Sequence, residues 1–147
     1  MAVKPIPDGY HSVTPYLIVQ GADKVIDFLK QAFAAEETVR MTAPDGSIGH
    51  AEVRIGDSAV MMGEAAGQSP MPGSIHLYVE DCDAAYQRAL EAGATSVREP
   101  ADQFYGDRMA GVRDPVGNQW WIATHIEDVS ESEMAKRAEE WAAQQKS

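Results

Sequence analysis

At 147 residues, with 44% apolar and 24% charged side chains, the chain has the size and composition of one folded domain with a full core, not of a disordered or membrane-spanning protein. A formal net charge of −11 sets it against phosphate backbones and anionic headgroups, so neither nucleic acid nor membrane is expected as a partner, whereas a cation would be attracted. The single cysteine, Cys82, excludes an internal disulfide and, with no apolar leader in the first dozen residues, points to the cytoplasm.

Residues 1–11 carry Pro5, Pro7 and Gly9 and read as an irregular lead-in. A strand is expected over 12–20, where Val13, Leu17, Ile18 and Val19 are apolar and Pro15 sits near the start. Val25, Ile26, Phe28, Leu29 and Phe33 recur at three-four spacing and predict a helix over 22–34. A half-buried strand follows over 37–41, then a turn at Ala43-Pro44-Asp45-Gly46. Within 48–55, Ala51, Val53 and Ile55 share one face and His50, Glu52 and Arg54 the other. Gly56-Asp57 then turns the chain into a strand over 59–63.

After a linker over 65–73, the same order returns. A strand over 74–80 leads to a helix over 81–92 with Asp83 as its expected N-cap. A short strand over 96–98, a loop over 99–105 and a strand over 107–113 follow. The turn Asp114-Pro115-Val116-Gly117-Asn118 leads into a last strand over 119–124. From Ser130, SESEMAKRAEEWAAQQ predicts a surface helix whose Met134, Ala138 and Trp141 would dock on the body or on a second subunit. A shift of sixty residues lays TPYLIVQGADKVIDFLKQAFA (from Thr14) on SIHLYVEDCDAAYQRALEAGA (from Ser74) without a gap. The fold class is therefore α+β. Two tandem βαβββ modules, 12–64 and 74–125, make one domain with a helical tail over 126–147.

Three stretches carry a resemblance: SVTPYLIVQGADKVIDFLKQAF, GHAEVRIGDSAVMM and YGDRMAGVRDPVGNQWWIATH. They resemble the vicinal oxygen chelate superfamily of glyoxalase I, extradiol dioxygenases, fosfomycin-inactivating enzymes and bleomycin resistance proteins. Within it they look like the PhnB-like (3-demethylubiquinone-methyltransferase-like) branch. The resemblance implies a cleft built from paired modules, commonly in a homodimer. It also implies four strand positions at which the metal enzymes carry His or carboxylate. Counted from Val19, Val79 and Gly117, three of these positions hold Thr14, Ser74 and Trp121; the fourth is Met61 or Met62. Hydroxyls, an indole and a thioether do not suit zinc, nickel or iron, so the usual metal site is expected to be absent and no cofactor is assigned.

Tyr16 shares the strand face of Thr14, and His76 and Tyr78 share that of Ser74. If Ala51, Val53 and Ile55 pack on a helix, His50 and Glu52 look into the cleft, with His76 from the other half. That trio is open to three readings: a relocated metal site, an acid–base set, or a solvated edge with local ion pairing. Trp121 is either a stacking wall for a planar or cationic ligand or filler. Tyr105 and Arg108 follow the loop that such proteins often close over a ligand; Arg108 clamps an anion there or pairs with Asp107 or Asp114. The expected function is binding of a cationic or aromatic small molecule between Tyr16, Met61, Tyr105, Arg108 and Trp121. The alternative is a glyoxalase-like lyase or isomerase using His50, Glu52 and His76.

Overall fold

The computed structural model describes residues 3–145, so the first two residues of the lead-in and the last two of the tail lie outside it. The first module is β1 (Tyr16–Val19), α1 (Ala22–Phe33), β2 (Glu36–Thr42), β3 (Ile48–Ile55) and β4 (Ser58–Glu64). The second is β5 (Ser74–Tyr78), α2 (Cys82–Glu91), β6 (Thr95–Asp102), β7 (Asp107–Arg113) and β8 (Gln119–His125), and α3 (Glu131–Gln145) forms the tail. The strand orders are β1-β4-β3-β2 and β5-β8-β7-β6, with the outer pairs β1-β4 and β5-β8 parallel. Tyr16 lies beside Met61, and His76 lies beside Trp121, so the sixty-residue repeat survives in the register.

Alternation decides which face each sheet buries. Leu17, Val19, Ala51, Val53, Ile55 and Met62 meet Val25, Ile26, Phe28 and Leu29 of α1. Ala110, Val112, Trp120 and Ile122 meet Cys82, Ala85 and Ala89 of α2. All belong to one core, because α1 packs on α2 and Phe33 lies against Trp120 with ring centroids 5.5 Å apart. Arg88 of α2 adds a hydrogen bond to the Ala32 carbonyl at 3.1 Å. Each large side chain taken fully out of water stabilises this centre by about 1.5–3 kcal/mol. The opposite faces of both sheets are left open, with Tyr16 and Tyr78 exposed.

α1 begins on a left-handed Gly21, whose missing side chain cannot cap it. Glu64, at the end of β4, does so from a distance: one carboxylate oxygen accepts from Gly21 N at 2.9 Å and from Ala22 N at 2.8 Å. Glu64→Ala should therefore lower unfolding stability by about 1–2 kcal/mol, read from the urea midpoint. A loss indistinguishable from that of an exposed Glu139→Ala control would refute this capping role.

Three expectations are corrected. The first strand is confined to Tyr16–Val19, because Thr14 turns back to hydrogen-bond the His11 carbonyl at 3.2 Å and Pro15 has no N–H to donate. The N-cap of α2 is Asp81 rather than Asp83: Asp81 has extended backbone angles and its carboxylate accepts from Ala84 N at 3.1 Å. β6 runs through Pro100 to Asp102, which shortens the expected loop to residues 103–106. Proline is tolerated there because β6 is an edge strand with register shifts on both sides of Arg98. The tail helix meets the body, one of the two places expected for it, with Met134 and Ala138 half-buried. Trp141 lies against Phe104 at 5.8 Å, and Arg137 bonds Glu127, Glu133 and the Phe104 carbonyl. Among the described residues no helix is long and apolar enough to cross a membrane.

Candidate functional site on the open sheet faces

The face of the first sheet turned away from α1 carries a hydrogen-bonded chain of four side chains. Ala51 and Val53 are fully buried under α1, and alternation then sends His50 and Glu52 to the opposite, open side. His50 Nε2 meets a Glu52 carboxylate oxygen at 2.7 Å, and His50 Nδ1 meets the Tyr16 hydroxyl at 3.2 Å. The Tyr10 hydroxyl, reaching over from the lead-in, donates to the other Glu52 oxygen. Glu52 is only 8% exposed. Burial alone pushes its carboxyl up, but the hydrogen bonds from Tyr10 and His50 together outweigh this and leave it below the ordinary carboxylate range. Tyr10 is raised in turn, chiefly by its bond to Glu52. An imidazole with one nitrogen fixed by a carboxylate has a defined tautomer, which is what a general acid–base needs.

Met61 joins this face. It pairs with Tyr16 on one side and Glu52 on the other and is partly exposed, whereas Met62 is fully buried in the core. Of the two methionines left open by the sequence, Met61 is thus the one on the open face.

On the second sheet, Trp121 lies flat across the strands. A Cβ on Gly111 would stand 2.5 Å from the indole Cζ3, so the six-membered ring rests on that glycine. At the other end the indole N–H donates to Ser74 Oγ at 3.0 Å. Arg98 of β6 holds its guanidinium carbon 6.0 Å from the ring centroid. His76 is the strand neighbour of Trp121 and meets the Tyr78 ring edge-on, with centroids 4.9 Å apart. His76 therefore sits in the other sheet from His50 and Glu52, and among the described residues no hydrogen bond or ring contact joins it to them.

The far end of this face holds a second polar cluster. Asp107, 4% exposed, accepts from the Tyr78 hydroxyl at 2.9 Å and from His125 Nδ1 at 2.8 Å, while His125 Nε2 reaches Asp128 at 2.8 Å. With a carboxylate on each nitrogen, His125 favours the doubly protonated form, and its pKa is raised, by Asp107 first and Asp128 second. The stabilisation from this bridge is complete below the ordinary imidazole value of about 6.5 and fades as pH rises through the raised one. The urea-midpoint advantage of wild type over His125→Gln should be larger near about pH 5.5 than near about pH 9. Equal advantages at both would rule out a charged bridge.

Arg108 is placed elsewhere. It pairs with neither Asp107 nor Asp114 but with Asp83 of α2, at 2.9 and 3.1 Å, and with Asp102 at 3.0 Å. Its position between Asp107 and Met109 gives it the parity of the helix-covered side, and both acids hold it protonated. Tyr105 remains on the open side, its hydroxyl 3.6 Å from Met109 Sδ, with burial pushing its pKa up. Cys82 is buried and donates to the Ile122 carbonyl at 3.2 Å, and burial raises its thiol, which makes it a filler rather than a nucleophile. A wide cavity of about 1270 Å³ at the module junction is lined by Phe33, Ile55, Leu77, Tyr78, Arg88 and His125 among others. It takes in His76, Tyr78 and His125 of the second sheet and reaches neither Glu52 nor Trp121.

Residues 9–122 match the family model described as Glyoxalase/Bleomycin resistance protein/Dioxygenase superfamily. The chain belongs to that superfamily. An uncharacterised protein of Mycobacterium bovis is 39% identical over 135 residues, covering 84% of this chain and 89% of the relative. An uncharacterised protein of Mycobacterium tuberculosis has the same identity, with 79% of its own length covered. Among solved structures, TioX from Micromonospora sp. ML1 superposes with a TM-score of 0.69 at 25% identity, over 79% of this chain and 99% of that one. A superfamily member from Sphaerobacter thermophilus shares the fold, with a TM-score of 0.64 at 24% identity over 78% of this chain and 96% of its own.

Membership in the glyoxalase/bleomycin resistance/dioxygenase superfamily raises the question of a metal. The resemblance puts the four ligand positions of the superfamily's metal enzymes at Thr14, Met61, Ser74 and Trp121 of this chain. Thr14 is hydrogen-bonded to the backbone, and Trp121 and Ser74 are bonded to each other. Neutral hydroxyls, a thioether and an indole N–H are a poor donor set for a divalent ion, so these residues do not fit the group. Among the described residues, no set of three or more His, Cys, Asp or Glu side chains is arranged to hold one either. His50 and Glu52 supply only two donors.

Two parts of these faces had no counterpart in the sequence reading. Tyr10 lies in a segment without periodicity, and nothing in the sequence ties it to Glu52. Gly111 did carry a signal, since a glycine inside an otherwise apolar strand marks a close approach.

Proposed function

We propose that this chain is a small-molecule binding protein of the superfamily's PhnB-like branch, cytoplasmic, and independent of the superfamily's usual metal. The observation that carries this reading is Trp121: an indole laid flat on Gly111 and pinned by Ser74 occupies a position where the metal enzymes carry a ligand. A flat, partly exposed ring fixed at both ends is a stacking platform, and an aromatic ligand gains stacking and burial on it at little entropic cost. Tyr16, Met61, Tyr105 and His76 extend the apolar and aromatic lining across the two faces.

The ligand site on these faces is completed by a second copy. In one chain, Tyr16 is 49% and Tyr78 61% exposed, although both point to the side opposite the core. A homodimer that sets one chain's first module against the partner's second would cover both faces. Sedimentation equilibrium should give a dimer, and a monomer at ten micromolar-range concentrations, about 10 μM, would exclude that arrangement.

The test of the binding reading is elemental analysis of untagged protein prepared without chelator, followed by thermal shift with planar aromatic compounds. The expected outcome is substoichiometric transition metal and a melting temperature raised by ligand in wild type but not in Trp121→Leu. Near-stoichiometric metal, or an equal shift in the variant, would overturn it.

The hydrogen-bonded chain from Tyr10 through Glu52 and His50 to Tyr16 favours a second reading, a lyase or isomerase. Here His50 moves a proton and Glu52 holds its tautomer. Activity abolished by His50→Ala and reduced by Glu52→Gln would support this enzyme reading over pure sequestration.

A further inference from the structure

The chain is acidic as a whole, which by itself favours a cationic ligand. The charge beside Trp121 has the other sign. Arg98 stands over the indole, and no ion pair or hydrogen bond is seen for it among the described residues. Arg113 is exposed, shares the open side of β7 with Gly111, and pairs in register with Thr95 and Gln119, one diagonal step from Trp121. It also has no acidic partner among the described residues. By contrast, Arg40, Arg108 and Arg137 are each locked to carboxylates. Arg54 and Arg88 also lack acids, but they bond the Gly9 and Ala32 carbonyls; the two arginines without either kind of partner among the described residues flank the platform.

We infer that the ligand seated on Trp121 is a planar aromatic carboxylate, its ring on the indole and its carboxylate clamped by Arg98 with support from Arg113. This rests on the binding reading above and adds the sign of the ligand's charge. A guanidinium fork meets a carboxylate through two parallel hydrogen bonds, and Arg98 needs to break no ion pair to make them. Its present place against the ring keeps the fork close to where the carboxylate would sit. A cationic aromatic would be repelled by both arginines at the same spot. The long-range field of the other acids is screened by salt over about 8–10 Å, so the local pair decides.

Isothermal titration of the full chain with 2-naphthoate, 2-naphthamide and 2-naphthylmethylammonium separates these terms, since the ring is constant and only the charge changes. Wild type should bind the carboxylate at least about tenfold more tightly than the amide, and the ammonium most weakly. Arg98→Gln, an exposed change that leaves the core untouched, should bring carboxylate and amide to within about twofold of each other while amide binding persists. Arg113→Gln should narrow the gap by a smaller factor. Equal carboxylate and amide affinities in wild type, or an unchanged gap in Arg98→Gln, would overturn the charge assignment while leaving the stacking platform standing. Loss of all three probes in Trp121→Leu is expected. Undiminished binding in that variant, or no binding of any probe to wild type, would overturn the platform and this inference with it.

Discussion

Asp114→Ala should cost about 3–5 kcal/mol of stability, as much as truncating a large core side chain. The carboxylate is 4% exposed and accepts four hydrogen bonds. One oxygen takes the backbone N–H groups of Val116 and Asn118, both at 3.0 Å. The other takes the Asn118 amide at 2.9 Å and the Trp120 indole N–H at 3.0 Å. Asn118 passes the constraint on, because its own carbonyl accepts from Gly73 N at 2.8 Å and so ties the inter-module linker to the turn. Alanine would leave the Trp120 and Asn118 donors, both fully buried, with no acceptor, and unsatisfied buried donors carry the full desolvation cost. Asp114→Asn keeps one acceptor and should fall between. Against a typical domain stability of about 5–15 kcal/mol, the loss in the alanine variant removes between about a fifth and the whole of the margin. Urea unfolding followed by far- and near-ultraviolet circular dichroism measures this. A loss under about 1 kcal/mol would mean that the turn is held by something other than this carboxylate.

That hub explains why the modules were readable from the sequence. Asp114-Pro115-Val116-Gly117-Asn118 is a compact turn in which the Asp114 carboxylate takes all four of its bonds from within six residues, so its signal survives in one dimension. The same holds for α1, whose three-four spacing is strong, and for β3, where Ala51, Val53 and Ile55 settle which side carries His50 and Glu52. Features that depend on long-range geometry were not legible. The cap of α1 comes from Glu64, across a parallel strand pair. The choice of Asp81 over Asp83 turns on backbone angles that two acids in the same stretch do not distinguish. Arg108 finds its acids on α2 and at the end of β6, and β6 itself could be seen to run through Pro100 only once it was known to be an edge. The candidate site shows the same division: His50 and Glu52 are two apart on one strand and were paired in advance, whereas Tyr10 arrives from an aperiodic lead-in. His76 was grouped with them by chemistry, but it lies in the other sheet, and no hydrogen bond or ring contact joins it to them among the described residues.

Gly111→Val should remove ligand binding, by about a hundredfold in affinity, while costing only about 1–2 kcal/mol of stability. Valine suits a strand, and β7 is paired on both sides, so the backbone has little reason to object. The objection comes from Trp121. The new Cβ alone would meet Cζ3 at 2.5 Å and Cε3 at 2.8 Å, and the branch adds two methyl groups in the same space. The indole must lift off the sheet, which breaks its 3.0 Å bond to Ser74 and removes the flat surface, even though Trp121 is still present. The variant thus separates having an indole from having it in place. If the platform is the site, Gly111→Val and Trp121→Leu remove the same thing, and the double variant should bind no worse than either alone, a coupling that a double-mutant cycle reads directly. Additive losses would mean that Gly111 serves the ligand by some route other than the indole, and that the ring over it is packing. Retention of binding in Gly111→Val, with the intrinsic fluorescence of the displaced indole red-shifted to show that it has moved into water, would place the ligand away from Trp121 altogether.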